Sequence, residues 1–290
     1  MRLATRLLVV VLAVTALGLA QHKPSITRIT LNSANLTLNG IDADYGPYGE
    51  IETKYKGASG DYAFLDPPSG IQIVVPSGAV TGVSSQAIAG NYTSPSGFDI
   101  QGFQWWPGPN QFFSFEWGAT ATFITGQLAD GTVEGWYDDF HFQDTSFIAT
   151  PVLDATGHVL YYDSKTYAVP NGTNTQVLAA NAYGRAGTFQ NPDGSRSGFV
   201  DRTAHRGEFL VVSLSSASVS ITALDDHCYA GFLLTQDGSQ QAFERCHEGP
   251  FEPVTVGVGG TWIRQITRSG DLVGYAQDAN GNNFGFLWKR

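Results

Sequence analysis

Apolar and polar residues alternate along this chain in short runs, and after residue 20 no window sustains the 3.6-residue spacing of an amphipathic helix. The runs recur. Six times a segment with Gly (Thr in the first copy) and an aromatic residue one or two positions later precedes a turn and a second run carrying Phe. The copies are Thr53 with Phe64, Gly90 with Phe103, Gly135 with Phe147, Gly187 with Phe199, Gly231 with Phe243 and Gly274 with Phe286. Successive Phe positions lie 39 to 52 residues apart. Short strands repeating at about 40–50 residues are the mark of a β-propeller.

Turn chemistry fixes the pairing within several copies. Pro192-Asp193-Gly194, Gln236-Asp237-Gly238 and Ala279-Asn280-Gly281 each read as a three-residue hairpin loop with Gly in the left-handed position. Counting outward from each loop sets Gly187 opposite Phe199, Gly231 opposite Phe243 and Gly274 opposite Phe286. The ring can then cover the bare glycine backbone across the strand pair. Counting outward from the 236–238 loop also sets Cys228 opposite Cys246, close enough to bridge. These are the chain's two cysteines, and a disulfide between them is expected.

Two more extended runs separate successive hairpins. Residues 71–76, 111–117, 208–213 and 252–257 follow a Phe strand. Residues 119–125, 175–180, 218–224 and 261–267 lead into the next Gly strand. Four strands per repeat and six repeats predict an all-β, six-bladed β-propeller, with helix nearly absent. A β-helix or a large sandwich competes. Repeats of 40 residues are long for a β-helix coil, and a sandwich gives no reason for sixfold recurrence. The run at 25–31 has no preceding partner and the run at 285–288 no following one, so pairing them would close the ring.

The same copies resemble the extracellular repeat proteins named for a His-Ala-Phe (HAF) tripeptide. Gly40-Ile41-Asp42 with Tyr62-Ala63-Phe64-Leu65, and Gly270 to Tyr275 with Gly285-Phe286-Leu287-Trp288, carry the likeness. Gly198-Phe199-Val200 and Gln241-Ala242-Phe243 are weaker echoes. The naming His is missing from every copy. The resemblance implies a secreted, propeller-like fold and brings no catalytic residue with it.

Arg2 and Arg6 precede an apolar run from Leu7 to Leu19, with small residues at Gly18 and Ala20. This is the pattern of a secretory signal over 1–20, too short for a comfortable membrane span. A single propeller domain over 21–290 follows, secreted or periplasmic, which agrees with an oxidised cysteine pair. The signal holds two of the 16 basic residues and no acid, which leaves 14 against 26. An acidic surface is repelled by nucleic acid and by anionic membranes. No cofactor, metal or membrane span is expected, and the protein reads as a monomer.

Chemistry is sparse. There is no Gly-x-Ser-x-Gly elbow. His227 and His247, with Asp225 and Asp226, have metal-ligand character, but read equally as an exposed hairpin edge. Asp42, Asp44, Glu50 and Glu52 lack the glycine and terminal glutamate of a calcium loop. Glu116, Asp138, Asp139, Asp225 and Asp226 are the conspicuous acids for glycoside hydrolysis. The aromatic load is more telling: seven rings lie between Phe103 and Trp117, and Trp136, Tyr137, Phe140 and Phe142 follow. Alternation puts Phe113 and Phe115 on one face and Phe112 on the other. Trp105, Trp106, Trp117, Trp136 and Tyr137 are the ligand-binding candidates, since flat rings stack on sugars. The leading expectation is a non-enzymatic binding or scaffold module for carbohydrate or another extracellular polymer. The alternatives are a polysaccharide hydrolase or lyase, and a purely structural surface protein.

Overall fold

The computed structural model describes residues 25–29, 35–42, 46–52, 62–65, 78–94, 99–117, 120–141, 143–247 and 249–290. The proposed signal, residues 71–76, Phe142 and the 43–45 part of the weak calcium motif lie outside them. The described residues form antiparallel sheets arranged as a β-propeller. One short helix, Thr203–Arg206, is the exception. No helix among the described residues is long and apolar enough to cross a membrane.

Taken along the chain, the first sheet contains Asn35–Asp42, Gly46–Glu52 and Tyr62–Leu65. The second contains Gly78–Val83, Ile88–Thr93, Ile100–Trp106 and Gln111–Phe115. The third contains Thr122–Gln127, Val133–Asp138, Asp144–Leu153 and Val159–Tyr167. The fourth contains Thr173–Asn181, Gly184–Gln190, Arg196–Arg202 and Glu208–Val212. The fifth contains Ala217–Leu224, Cys228–Thr235, Gln240–Cys246 and Glu252–Pro253. The last is Gly260–Ile266, Leu272–Gln277 and Asn283–Lys289, with Ser25–Ile29 as its outer strand. Five sheets are thus four-stranded and one has three strands, which corrects the expectation of six four-stranded blades. The expected fourth strand of the first sheet, residues 71–76, is outside the described residues.

The ring closes as the unpaired runs predicted. Ser25 pairs with Lys289 and Arg28 with Phe286, so strands from both chain ends share one sheet. Asn35–Asp42 then packs on the two middle strands of that sheet.

Each sheet is organised about one cross-strand triplet. Gly90, Gly135, Gly187, Gly231 and Gly274 lie opposite Phe103, Phe147, Phe199, Phe243 and Phe286. On its other side each glycine faces an apolar inner-strand residue: Val80, Ile124, Val177, Ile221 or Ile263. These five Phe side chains are buried. In the first sheet the glycine opposite Phe64 is Gly49, with Leu38 beyond it. Thr53, the partner expected from sequence, lies outside the described residues. The glycine paired with Phe64 thus lies four residues before the expected position.

The physical demand for glycine is sharper than ring coverage. A Cβ on Gly135, Gly187, Gly231 or Gly274 would stand 1.8 to 1.9 Å from an inner-strand carbonyl oxygen. That carbonyl is pushed forward by a β-bulge that follows the inner-strand apolar residue in all six sheets. The bulged residues are Asn39, Thr81, Thr125, Leu178, Thr222 and Arg264. Four of them stitch adjacent sheets together. Asn39 donates to the Val80 carbonyl (2.9 Å), Thr81 to Ile124 (2.8 Å), Thr125 to Val177 (2.8 Å) and Thr222 to Ile263 (2.5 Å).

The predicted three-residue loops are present. In each, the loop glycine has positive φ (86° at Gly194, 82° at Gly238, 80° at Gly281). The Cys228–Cys246 disulfide joins directly opposed residues of one hairpin, 4.0 Å apart at Cα.

A buried ionic network ties the third sheet to the fourth. Arg185 holds Glu134 through two bonds, Nε to Oε2 at 2.7 Å and Nη2 to Oε1 at 2.9 Å. Its Nη1 reaches Asp201 Oδ2 at 3.1 Å. Asp201 also accepts from Tyr167 at 2.9 Å and from the Thr203 hydroxyl and amide at 2.6 and 3.0 Å. Burial alone would raise the Asp201 pKa, but the Thr203 bonds, the Tyr167 bond and the Arg185 charge outweigh it and hold the pKa below its ordinary value. A carboxyl depressed by folding stabilises the fold above its unfolded pKa, near 3.9, and that contribution is lost as pH falls through the folded value. Wild type should therefore lose melting temperature below about pH 4 more steeply than Asp201→Asn. Parallel melting curves for the two from pH 6 to pH 2.5 would remove Asp201 from the acid response.

Candidate functional site

The inner strands of all six sheets converge on a cavity of ≈ 780 Å³ at the centre of the ring. Its wall is built from bulged residues and those beside them. Asn39, Thr81, Thr125, Leu178 and Arg264 contribute, together with the amides of Asn91, Gln127, Asn181 and Gln265. The rings facing it are Tyr92, Phe123, Trp136 and Tyr275. Trp136 stacks on Phe123 with centroids 4.5 Å apart and planes 24° apart. Tyr275 stacks on Trp262 at 4.9 Å and 10°. Among the described lining residues there is no carboxylate, and Arg264 is the one charged group.

Several wall amides are already committed. Asn91 donates to the Ile124 carbonyl and accepts from its N–H at 2.9 and 2.6 Å. Asn181 donates to the Leu224 carbonyl at 2.8 Å. Gln127 donates to Ser84 and to the Ala87 carbonyl, while its Oε1 is buried without a hydrogen-bond partner. Gln265 Oε1 accepts from the Ile41 N–H at 2.7 Å. The wall is therefore positioned by backbone hydrogen bonds between sheets, the condition for a pre-formed polar site.

The five aromatic candidates do not form one surface. Trp136 alone faces the cavity. Tyr137, its neighbour, turns to the other side of the strand and tilts against Phe147 at 6.4 Å. Trp117 packs edge-on to Phe147 at 4.4 Å and to Phe115 at 5.2 Å. Trp106 is only 2% exposed, and its indole N–H points at Gln104 Oε1 (3.2 Å) and the Tyr162 hydroxyl (3.0 Å). Burial raises the Tyr162 pKa well above its ordinary value, so that hydroxyl stays protonated. Trp105 is half-buried opposite Phe112. Trp106 is thus a core residue, and Trp117 and Tyr137 fill a sheet-to-sheet interface. Packing between sheets covers most of these rings. Phe113 and Phe115 do share a face, both against Tyr162, while Phe112 is 52% exposed.

None of the five conspicuous acids lines the cavity. Asp138 accepts from the N–H groups of Thr120 and Ala121 and from the Thr120 hydroxyl. Asp139 accepts from the N–H groups of His141 and Gln143. Asp225 accepts from those of His227 and Cys228 at 2.7 and 2.6 Å. Glu116 lies near the Ser114 hydroxyl at 3.5 Å. These carboxylates mostly cap turns. His227 does face His247, with ring centroids 4.9 Å apart. Asp226 is instead held by His205 at 3.0 Å and His227 at 3.4 Å, and the Arg206 guanidinium stands 3.1 Å from His227 Nδ1. A cation so close to an imidazole nitrogen opposes a metal there. Among the described residues the one grouping with metal-ligand spacing is Cys228, Glu244 and Cys246, whose two sulfurs are joined in the disulfide.

The bulged residues were missed from sequence, although a signal exists. Leu38-Asn39-Gly40, Val80-Thr81-Gly82, Ile124-Thr125-Gly126 and Ile221-Thr222-Ala223 share an apolar residue, a short hydrogen-bonding residue and a small residue. The small third residue lets inner strands crowd the axis; a Cβ on Gly126 would lie 2.5 Å from the Ala180 carbonyl oxygen.

No protein-family model matches the chain, and no curated protein is similar to it. Solved structures similar to it include the β-propeller domain of the Trilobed protease from Pyrococcus furiosus, described as having an open velcro topology. That likeness has a TM-score of 0.49 and 8% identity over 88% of this chain and 93% of that one. Another is the acylaminoacyl peptidase of Pyrococcus horikoshii, with a TM-score of 0.43 and 11% identity over 88% of this chain. The match spans about half of that peptidase, 51% of its length.

Proposed function

We propose that this is a secreted or periplasmic, monomeric binding module, a diverged array of the His-Ala-Phe type, that takes a carbohydrate or a segment of another extracellular polymer into its central cavity. In this reading the three-stranded first sheet is the sixth blade of the ring. The observation that carries the proposal is the cavity wall: amides, hydroxyls and stacked aromatic rings around ≈ 780 Å³, without a carboxylate among the described lining residues. Amides and hydroxyls complement sugar hydroxyls, and ring faces complement the apolar faces of pyranose rings. The hydrolase reading loses its support, because the five acids it needs are placed elsewhere. Trp136 is the one sequence candidate this proposal retains.

A glycan-array screen followed by calorimetry on the best ligand tests the reading. Trp136→Ala should weaken binding about tenfold, the loss of roughly 1.4 kcal/mol of stacking. Trp105→Ala should leave binding unchanged. Absence of any glycan ligand would favour a purely structural protein, and release of reducing sugar from a polysaccharide mixture would restore the enzyme.

A further inference from the structure

The sixth inner strand departs from the pattern of the others at two consecutive positions, and both face the cavity. Where four other sheets have Asn39, Thr81, Thr125 or Thr222 and the fourth sheet has the apolar Leu178, it has the charged Arg264; where they have Gly or Ala, it has Gln265. The four shorter side chains bond a carbonyl of the next sheet. Arg264 gives up that bond. Among the described residues its one hydrogen bond runs from Nη2 to the Tyr275 hydroxyl, at 3.4 Å, and its guanidinium carbon lies 5.5 Å from the Tyr275 ring centroid. It is exposed, and it forms no ion pair with the described carboxylates. The protein as a whole is acidic, with a formal charge of −10. A local rule broken without a structural return points to a functional residue.

We propose that Arg264 makes the cavity selective for carboxylate-bearing saccharides, of the uronic-acid class. This deepens the binding-module reading above and rests on it. A guanidinium presents a planar fork of N–H donors that matches a carboxylate through two parallel bonds. One such group balances a single negative charge, and no second cation lines the described wall to hold a dianion. Among the described lining residues no carboxylate competes for Arg264. The stacked Tyr275–Trp262 pair fixes the ring against which the guanidinium lies. Gln265 also lines the cavity, and its side-chain N–H₂ group is a further donor, since its Oε1 already accepts from Ile41.

Titration with uronic-acid trisaccharides of the gluco, galacto and manno series, and with their neutral methyl esters, distinguishes this inference from the one beneath it. At least one free acid should bind tenfold or more tightly than its ester. That preference should weaken with added salt, vanish in Arg264→Gln and survive in part in Arg264→Lys. Because Arg264 is exposed, both variants should melt as wild type does, which separates loss of recognition from loss of fold. Equal affinity for acid and ester, unaffected by Arg264→Gln, would overturn the anion preference and leave the binding module standing. Failure of acids, esters and neutral glycans alike would overturn both.

Discussion

Gly187→Ala is expected to unfold the domain or to cost about 4 kcal/mol or more, beyond what ordinary single substitutions cost. The added methyl would lie 1.8 Å from the Gln176 carbonyl oxygen and 2.9 Å from an edge carbon of Phe199. Neither neighbour can yield. The carbonyl belongs to the bulged inner strand on one flank, and the ring belongs to the neighbouring strand on the other flank, where it is buried. Relief would require the inner strand to separate from the Gly187 strand, toward the axis, and disturb the Thr125 bond to Val177. Gly108→Ala is the matched control, because nothing lies within 4 Å of its Cβ position. A thermal melt in which both variants behave alike would show that glycine at 187 answers to nothing but turn or strand propensity.

Phe199→Ala should cost roughly 3–5 kcal/mol, the usual range for deleting a buried aromatic ring. Phe199 is fully buried and lies among Phe189, Tyr167 and Phe209, with ring centroids 6.4, 5.8 and 6.4 Å away. Those neighbours come from the third and fourth sheets, so the void would open between blades rather than inside one. Phe112→Ala serves as the comparison, since that ring is half exposed and should cost far less. Urea denaturation reads the difference directly. A midpoint for Phe199→Ala within error of wild type would dissolve the link between the repeated Phe and the core.

Turn residues and strand alternation carried a large part of the fold. The loops ending in Gly194, Gly238 and Gly281 set the register of three hairpins, and from that register the glycine–phenylalanine pairs and the Cys228–Cys246 bridge followed by counting. The unpaired runs near residues 25–31 and 285–288 foretold how the ring closes. The outer strand Val159–Tyr167 was not foreseen. It is mostly exposed, with Leu160 and Tyr161 facing outward, so it offers no buried apolar run to recognise. The bulges were also hidden, because one extra residue interrupts alternation too briefly to stand out within a single copy. The cavity was the least legible part. Its wall draws a few residues from each of six distant segments, and only the ring geometry brings Asn39, Gln127 and Arg264 to one place. The aromatic cluster misled for a related reason: alternation tells which way Trp106 points but not that a neighbouring sheet waits there to cover it.

The closing strand also sets an order of events during synthesis. Ser25–Ile29 is made some 250 residues before its partner Asn283–Lys289. The second to fifth sheets are each built from consecutive strands and can form as they emerge. The last sheet cannot be completed until Asn283–Lys289 has been made. Joining segments so far apart adds a modest entropic cost, about 0.6 kcal/mol for each doubling of the enclosed chain, and it delays the final pairing. Until that moment both Ser25–Ile29 and Asn283–Lys289 present an open edge to other chains. A nascent protein of this kind stays unfinished, with one sheet lacking its outer strand pair, until Asn283–Lys289 has been made.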